Sequence, residues 1–283
     1  MRMVEILKEA TLDWSRHRSP RLGAALAYFA VFSLGPLLLL VTAVAGLFFE
    51  RDAVRAALSA QFSSLIGPAG SQAIDAMIAG ASGATSGAAA AGFGVVLLLL
   101  AALGVVVQLK DAINTIWEVP DDPGSGIWWY VRTYIVSLAG ILTLGLLLAV
   151  SLVLSTVLAA FSSSLPTVEG LIWQGVDLFV SLAVLTGLFA MLFKFFPDAP
   201  VQWRDVVFGA VLTAVLFQLG KLAISWYIGT QGLESSYGAA ASVVALLIWI
   251  YYAAQIILFG AEVTHVDARR RRRPQDNRTK RTL

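Results

Sequence analysis

Six apolar stretches, residues 22–49, 88–109, 132–160, 171–196, 204–229 and 238–266, each reach the length that a crossing of the hydrocarbon core requires, about 20 residues in a helix. No other feature of this 283-residue chain limits its fold so tightly. In lipid, every backbone N–H and C=O must find its partner inside the protein, so unbroken Leu/Ala/Val blocks of this length predict helices. Spanning β-strands would alternate in polarity over segments of about ten residues. Composition agrees: 58% of residues are hydrophobic and 13% charged, where a soluble domain carries roughly a quarter charged residues. The predicted fold class is an all-α integral membrane protein with six transmembrane helices and short amphipathic interfacial helices. The first stretch exceeds the roughly 7–15 apolar residues of a signal peptide, and a basic amphipathic segment precedes it.

Basic residues set the orientation, because Lys and Arg accumulate in the cytoplasmic loops. With the N-terminus inside, the inner set is Arg2, Lys8, Arg16, Arg18, Arg21, Lys110, Arg132, Lys194, Arg204 and the eight residues of the tail. The outer set is Arg51 and Arg55, and Lys221 falls within a span. Both termini are therefore expected in the cytoplasm. Residues 1–21 read as a cytoplasmic interfacial helix, with Val4, Leu7, Ala10 and Trp14 as its apolar stripe. Residues 22–266 read as the membrane domain, and 267–283 as a basic, solvated cytoplasmic tail. In the outer loop 50–87, helical spacing of Val54, Leu58, Phe62 and Leu65, a break at Gly67-Pro68, and Ile74, Met77 and Ile78 predict two short surface helices. Trp128, Trp129, Trp173, Trp203 and Trp226 fall near span ends, where interfacial anchoring is expected.

Absences exclude whole classes of chemistry. The chain has no cysteine, which removes disulfides, thiolate metal sites and iron–sulfur ligation. Its two histidines, His17 and His265, stand at opposite ends of the sequence, so no multi-histidine metal centre is expected. No GxxxxGKS phosphate loop is present, which excludes an ATP-driven pump within this chain. Any transport then runs downhill, on an ion gradient or with a separate motor. No enzyme activity and no cofactor are expected.

Ionisable groups within spans each need a reason, since one at the membrane centre costs on the order of 2.5–3.5 kcal/mol. Lys221 lies about seven residues from the outer end of the fifth span, roughly 10 Å deep at about 1.5 Å per residue. Asp177 has a similar depth in the fourth span, so the two are expected to pair or to line one polar cavity. A structural ion pair or an outward-snorkelling lysine is the plainer alternative. Gly35-Pro36 in the first span predicts a kink or break, with Tyr28 and Ser33 sharing the opened space. Tyr251, Gln255 and Glu262 form one stripe of the sixth span, with Glu262 solvated or paired to Lys110 or Lys194. On the inner side, Lys110, Asp111, Asn114, Lys194, Asp198, Arg204 and Asp205 suggest a polar ring that locks helix ends. The arginine run from Arg269 to Arg273, with Arg278, Lys280 and Arg281, suits anionic lipid at about 1 kcal/mol per basic residue.

Several segments carry a family resemblance: GAALAYFAVFSLGPLLLL from Gly23, QLKDAINTIWEV from Gln108, FKFFPDA from Phe193, WRDVVFGA from Trp203, YGAAASVVALLIWIYY from Tyr237 and QIILFGAE from Gln255. Together they resemble the YihY/virulence factor BrkB family of bacterial inner-membrane proteins, from about residue 20 to 266. The resemblance implies a six-helix bundle with cytoplasmic termini. It also implies a link to serum resistance and to envelope lipid or lipopolysaccharide traffic. The family's older ribonuclease label does not suit these residues, because metal-dependent RNA cleavage needs a cluster of His and carboxylate ligands. The leading expectation is a transporter or flippase, not driven by ATP, for an amphipathic envelope substrate such as a phospholipid. A small-solute or anion transporter or channel, and a non-transporting scaffold for envelope assembly, are the alternatives. The expected partners are membrane lipids, anionic ones included, and no nucleic acid. The sequence leaves open a homo-oligomer or envelope partner proteins.

Overall fold

The structure, a computed structural model, describes residues 2–45, 50, 53, 54, 56, 59, 104–120, 170–230 and 241–279. Among the described residues the regular elements are helices: α1 (Arg2–Arg16), α2 (Ser19–Ala45), α3 (104–116), α4 (Gly170–Phe195), α5 (Trp203–Thr230) and α6 (Ala241–Thr279). Three are long and apolar enough to cross a membrane, through Leu178–Phe195, Trp203–Ile224 and Val243–Arg272. These are the stretches expected at 171–196, 204–229 and 238–266. The stretch at 22–49 corresponds to α2, and the one at 88–109 runs into α3, which continues past it. The stretch at 132–160, Trp128 and Trp129, and nearly all of the outer loop lie outside the described residues.

Local chemistry sets the helix ends. Ser19-Pro20 opens α2, a polar cap followed by a proline whose missing N–H costs nothing in the first turn. At the start of α5, Asp205 Oδ2 accepts the Gln202 N–H at 3.2 Å, half of a capping box. Past α3, the Glu118 N–H donates to Thr115 O at 3.1 Å and the Val119 N–H to Asn114 O at 3.0 Å. That bond pair is a Schellman motif, and Glu118 fills its left-handed position at φ 50°. Of the kink or break expected at Gly35-Pro36, a break is not found, since α2 runs through both residues as one helix. At 39 residues α6 is about 58 Å long, well beyond a hydrocarbon core of about 30 Å. No boundary separates the sixth stretch from the arginine run; both belong to this helix.

The chain divides into two compact units. The first holds Met1–Ser19, Lys110–Gln218 and Ile256–Leu283. There Ile6 and Ala10 of α1 pack on Val263 and Val266 of α6, flanked by Leu7, Phe208, Leu212 and Phe259. Full burial of a side chain such as Ile6 contributes about 1.5–3 kcal/mol. The buried stripe of α1 is Ile6, Ala10 and Asp13; of the expected residues Ala10 is buried, Leu7 and Trp14 are half-buried and Val4 is exposed. α5 and α6 cross through two matched pairs, Gly209 with Thr213 and Gly260 with Thr264. Each threonine hydroxyl donates to the glycine carbonyl four residues earlier on its own helix, at 2.7 and 2.8 Å. Each also fills the space where the opposite glycine would carry a Cβ. Small residues at such a crossing let backbones approach closely, which drives helix association in lipid. Gln218 Nε2 donates to Ser181 Oγ at 2.9 Å, tying α5 to α4.

The second unit holds Pro20–Leu109 and Leu219–Gln255. Gln255 Nε2 donates to Pro20 O at 3.4 Å and occupies the space beside Gly23. Tyr252 lies over Gly220, and Trp249 is buried beside it, 6.3 Å between ring centroids. The outward face of this unit is apolar: Phe32, Leu219, Leu222, Val243 and Leu247 are exposed.

Candidate functional site

Glu262 has no exposed side-chain surface, although it lies on the helix that also carries the arginine run. An ionised carboxyl cannot rest in such a place without partners, and it has two. His17 Nδ1 and Glu262 Oε1 share a hydrogen at 2.9 Å, and Ser19 Oγ donates to the same oxygen at 3.2 Å. Ser19 thus does two jobs, opening α2 and holding the carboxyl. His17 follows α1 directly, its N–H donating to Asp13 O at 2.8 Å. Arg18 then takes a left-handed φ of 55°, which turns the chain into α2.

A second carboxyl approaches from the end of α3. Glu118 Oε1 is 3.5 Å from His17 Nε2 and accepts from Arg16 Nη2 at 3.0 Å. A non-glycine residue at positive φ costs on the order of 1–3 kcal/mol, and both such residues among those described, Arg18 and Glu118, border this cluster. His265 stands one turn from Glu262 on α6, its ring 5.2 Å from that of Trp117. Four buried polar atoms here have no hydrogen-bond partner among the described residues: His17 Nε2, Glu262 Oε2, His265 Nδ1 and Trp117 Nε1. The two histidines, distant in sequence, therefore belong to one cluster. Among the described residues no group of three or more His, Asp and Glu side chains is arranged to hold a metal ion.

The arginine run extends this polar end by closing onto α1. Arg270 donates to both oxygens of Glu9, at 2.7 and 2.9 Å, and to Glu5 at 2.8 Å. Arg269 donates to Asp13 at 2.9 Å, and Arg271 to Asp267 at 2.6 Å. Arg272 donates to the Pro200 carbonyl. These four residues, expected as part of a solvated cluster, bond to protein groups, while Arg271 and Arg272 stay exposed. Glu5, Glu9 and Asp13 recur every four positions and present one acidic face to Arg269 and Arg270.

The remaining expected residues separate into three groups. Of the polar ring, Lys110, Asn114 and Asp198 do meet. Lys110 Nζ is 2.9 Å from Asp198 Oδ2, and Asn114 exchanges two 2.9 Å bonds with the Asp198 side chain and N–H. Lys194 instead donates to the Val201 carbonyl, and Asp205 caps α5, 4.0 Å from Arg271. Asp111 and Arg204 are exposed and stand apart from the ring. Neither Lys110 nor Lys194 is the partner of Glu262.

Within the second unit, Tyr28 is exposed and packs against Phe32, 4.7 Å between ring centroids, while Ser33 is buried and donates to Ala30 O at 3.0 Å. Five residues apart on one helix, the two stand on different sides of it. Tyr251 is exposed and Gln255 half-buried. Lys221 is half-buried and makes no ion pair among the described residues. The side chains of Asp177 and Pro36 lie outside the described residues, and so does any pairing of Asp177 with Lys221.

Sequence reasoning passed over His17 as a site residue. Two signals were available: it is one of two histidines in the chain, and Glu262-x-x-His265 puts two titratable groups on one helix face.

Comparison with known proteins gives a consistent picture. A family profile described as virulence factor BrkB matches residues 10–282. A UPF0761 membrane protein of Stenotrophomonas maltophilia (strain R551-3) is 32% identical over 279 residues, covering 94% of this chain and 62% of the relative. A UPF0761 membrane protein of Pseudomonas aeruginosa (strain LESB58) is 28% identical over 246 residues, covering 86% of this chain and 58% of its own. A third, from Pseudoalteromonas atlantica, is 28% identical, with 85% and 78% covered. The chain thus spans about three-fifths of the length of the first two relatives. No solved structure matches it.

Proposed function

The chain belongs to the virulence factor BrkB family of membrane proteins, and from that premise we propose that it is a multipass plasma-membrane transporter moving an amphipathic, anionic envelope lipid without ATP. Both termini then lie in the cytoplasm, as the distribution of basic residues favours.

Lys221 carries the reading. It sits in an apolar helix, half-buried, between exposed Leu219 and Leu222, with no ion pair among the described residues. A cation at that depth is costly unless it meets a negative group. Its neighbours Leu219 and Leu222 are exposed, so the helix is open to the lipid side beside the lysine. A phosphodiester headgroup whose acyl chains stay among the leucines satisfies both demands.

The test is transbilayer movement of fluorescent phosphatidylglycerol in proteoliposomes, in the absence of nucleotide. Movement above that of protein-free vesicles is expected, with Lys221→Met slowing it about tenfold, equivalent to ~1.4 kcal/mol. Chloride flux without lipid movement would transfer the role to an anion path. Neither activity would leave a scaffold.

A further inference from the structure

The imidazole of His17 stands between two carboxyls, and exposure falls along the row. The Glu118 side chain is 45% exposed, that of His17 9% and that of Glu262 0%. We propose that Glu118, His17 and Glu262 form a proton relay, which delivers a proton from solvent to a carboxyl buried in a membrane helix. The ligand of this site is the proton itself, and the claim stands whether or not the chain moves lipid.

Charge makes the site a proton acceptor. With His17 neutral and Glu262 ionised, the inner pair carries one negative charge. One added proton makes it neutral, held as imidazolium beside carboxylate or as imidazole beside carboxylic acid. No lysine or arginine touches Glu262 among the described residues, so a proton is the cation that can neutralise it. Ser19 on α2 and Asp13 on α1 also face Glu262, and His265 on α6 faces His17, with Arg269 beside it. Arg269 is already committed to Asp13.

The transfer balances atom by atom. The Glu118 carboxylate takes a proton from water and passes it to His17 Nε2, giving imidazolium. The Nδ1 proton then passes over 2.9 Å to Glu262 Oε1, leaving the other imidazole tautomer. Glu118 is a carboxylate again, and reversal of the sequence, or rotation of the ring, restores the starting tautomer. The outer step is the narrow one: at 3.5 Å, Glu118 Oε1 and His17 Nε2 do not form a hydrogen bond. A small side-chain shift or one bridging water closes that gap. The positive φ of Glu118 and its bond to Arg16 hold its carboxylate beside the ring.

Infrared difference spectroscopy of the whole protein in lipid tests this through the carbonyl stretch of a protonated carboxyl kept from water, which lies at higher frequency than that of the solvated carboxyls. The wild-type chain should gain such a band on acidification, and Glu262→Gln should lose it. Glu118→Gln alters a half-exposed surface group and should leave the fold and the final band intensity unchanged. After a pH jump it should slow the appearance of the band about a hundredfold, the lower end of what a positioned proton-transfer group supplies. Absence of the band in the wild type, its persistence in Glu262→Gln, or wild-type kinetics in Glu118→Gln would each overturn the relay. If Glu262→Gln fails to fold, the wild-type band and the Glu118→Gln kinetics still decide the matter.

Discussion

The two units solve the problem of a charge near lipid in opposite ways. In the first, ionisable side chains are gathered and matched: His17 with Glu262, Arg269 with Asp13, Arg270 with Glu5 and Glu9, and Lys110 with Asp198. In the second, Lys221 stands half-buried among outward leucines, and no ion pair among the described residues engages it. A matched charge fixes structure, whereas an unmatched one in an apolar helix is positioned to recruit its partner from outside. On the function and the relay proposed above, α1 docking and proton handling fall to the first unit and substrate contact to the second.

Removing the buried carboxyl is the harshest way to break that contrast. Glu262→Ala leaves His17 and Ser19 without their acceptor and should cost about 3–5 kcal/mol, the usual penalty for removing one member of a buried pair. Thermal unfolding in detergent would read it. Next comes the glycine crossing. A Cβ at Gly209 would meet the Gly260 carbonyl oxygen at 2.6 Å, so Gly209→Ala should cost about 1–3 kcal/mol. Gly187→Ala, with nothing within 4 Å, is the control, and equal stability of the two variants would remove the crossing from the account.

A gentler perturbation addresses the clamp between α1 and the arginine run. Because the chain has no cysteine, a single Thr11→Cys carries a spin label on α1 without background. Arg270→Ala should raise the mobility of that label. High salt should do so more weakly, since these pairs are only partly screened from solvent. The smallest effect is expected at Asp111→Asn and Arg204→Gln, exposed and outside the Lys110–Asn114–Asp198 cluster, each within about 0.5 kcal/mol of wild type.

The helices were legible because their signal is local: a long apolar run has few other ways to satisfy its backbone. The stretches that became α4, α5 and α6 were placed within a few residues at most ends. The main exception is the far end of α6, where the arginines were read as a tail because topology alone accounted for them. Their acidic counterpart, Glu5, Glu9 and Asp13, was visible at helical spacing, but nothing local linked it to a segment more than 250 residues away. His17 and Glu262 are separated by 245 positions, and no spacing rule joins such a pair. Gly35-Pro36 was expected to kink or break its helix, and α2 does not break there: a helix in a membrane can carry a proline when neighbouring groups take up the freed carbonyl.

The claim beneath this comparison is that the apolar face of the second unit meets lipid while the exposed side of α1, with Glu5 and Lys8, meets water. Spin labels placed singly at Phe32, Leu222 and Leu247, and at Glu5 and Lys8, test it in reconstituted bilayers through collisions with oxygen and with a water-soluble nickel chelate. Oxygen should dominate relaxation at the first three positions and the chelate at the last two. Chelate-dominated relaxation at Leu222 and Leu247 would contradict the account.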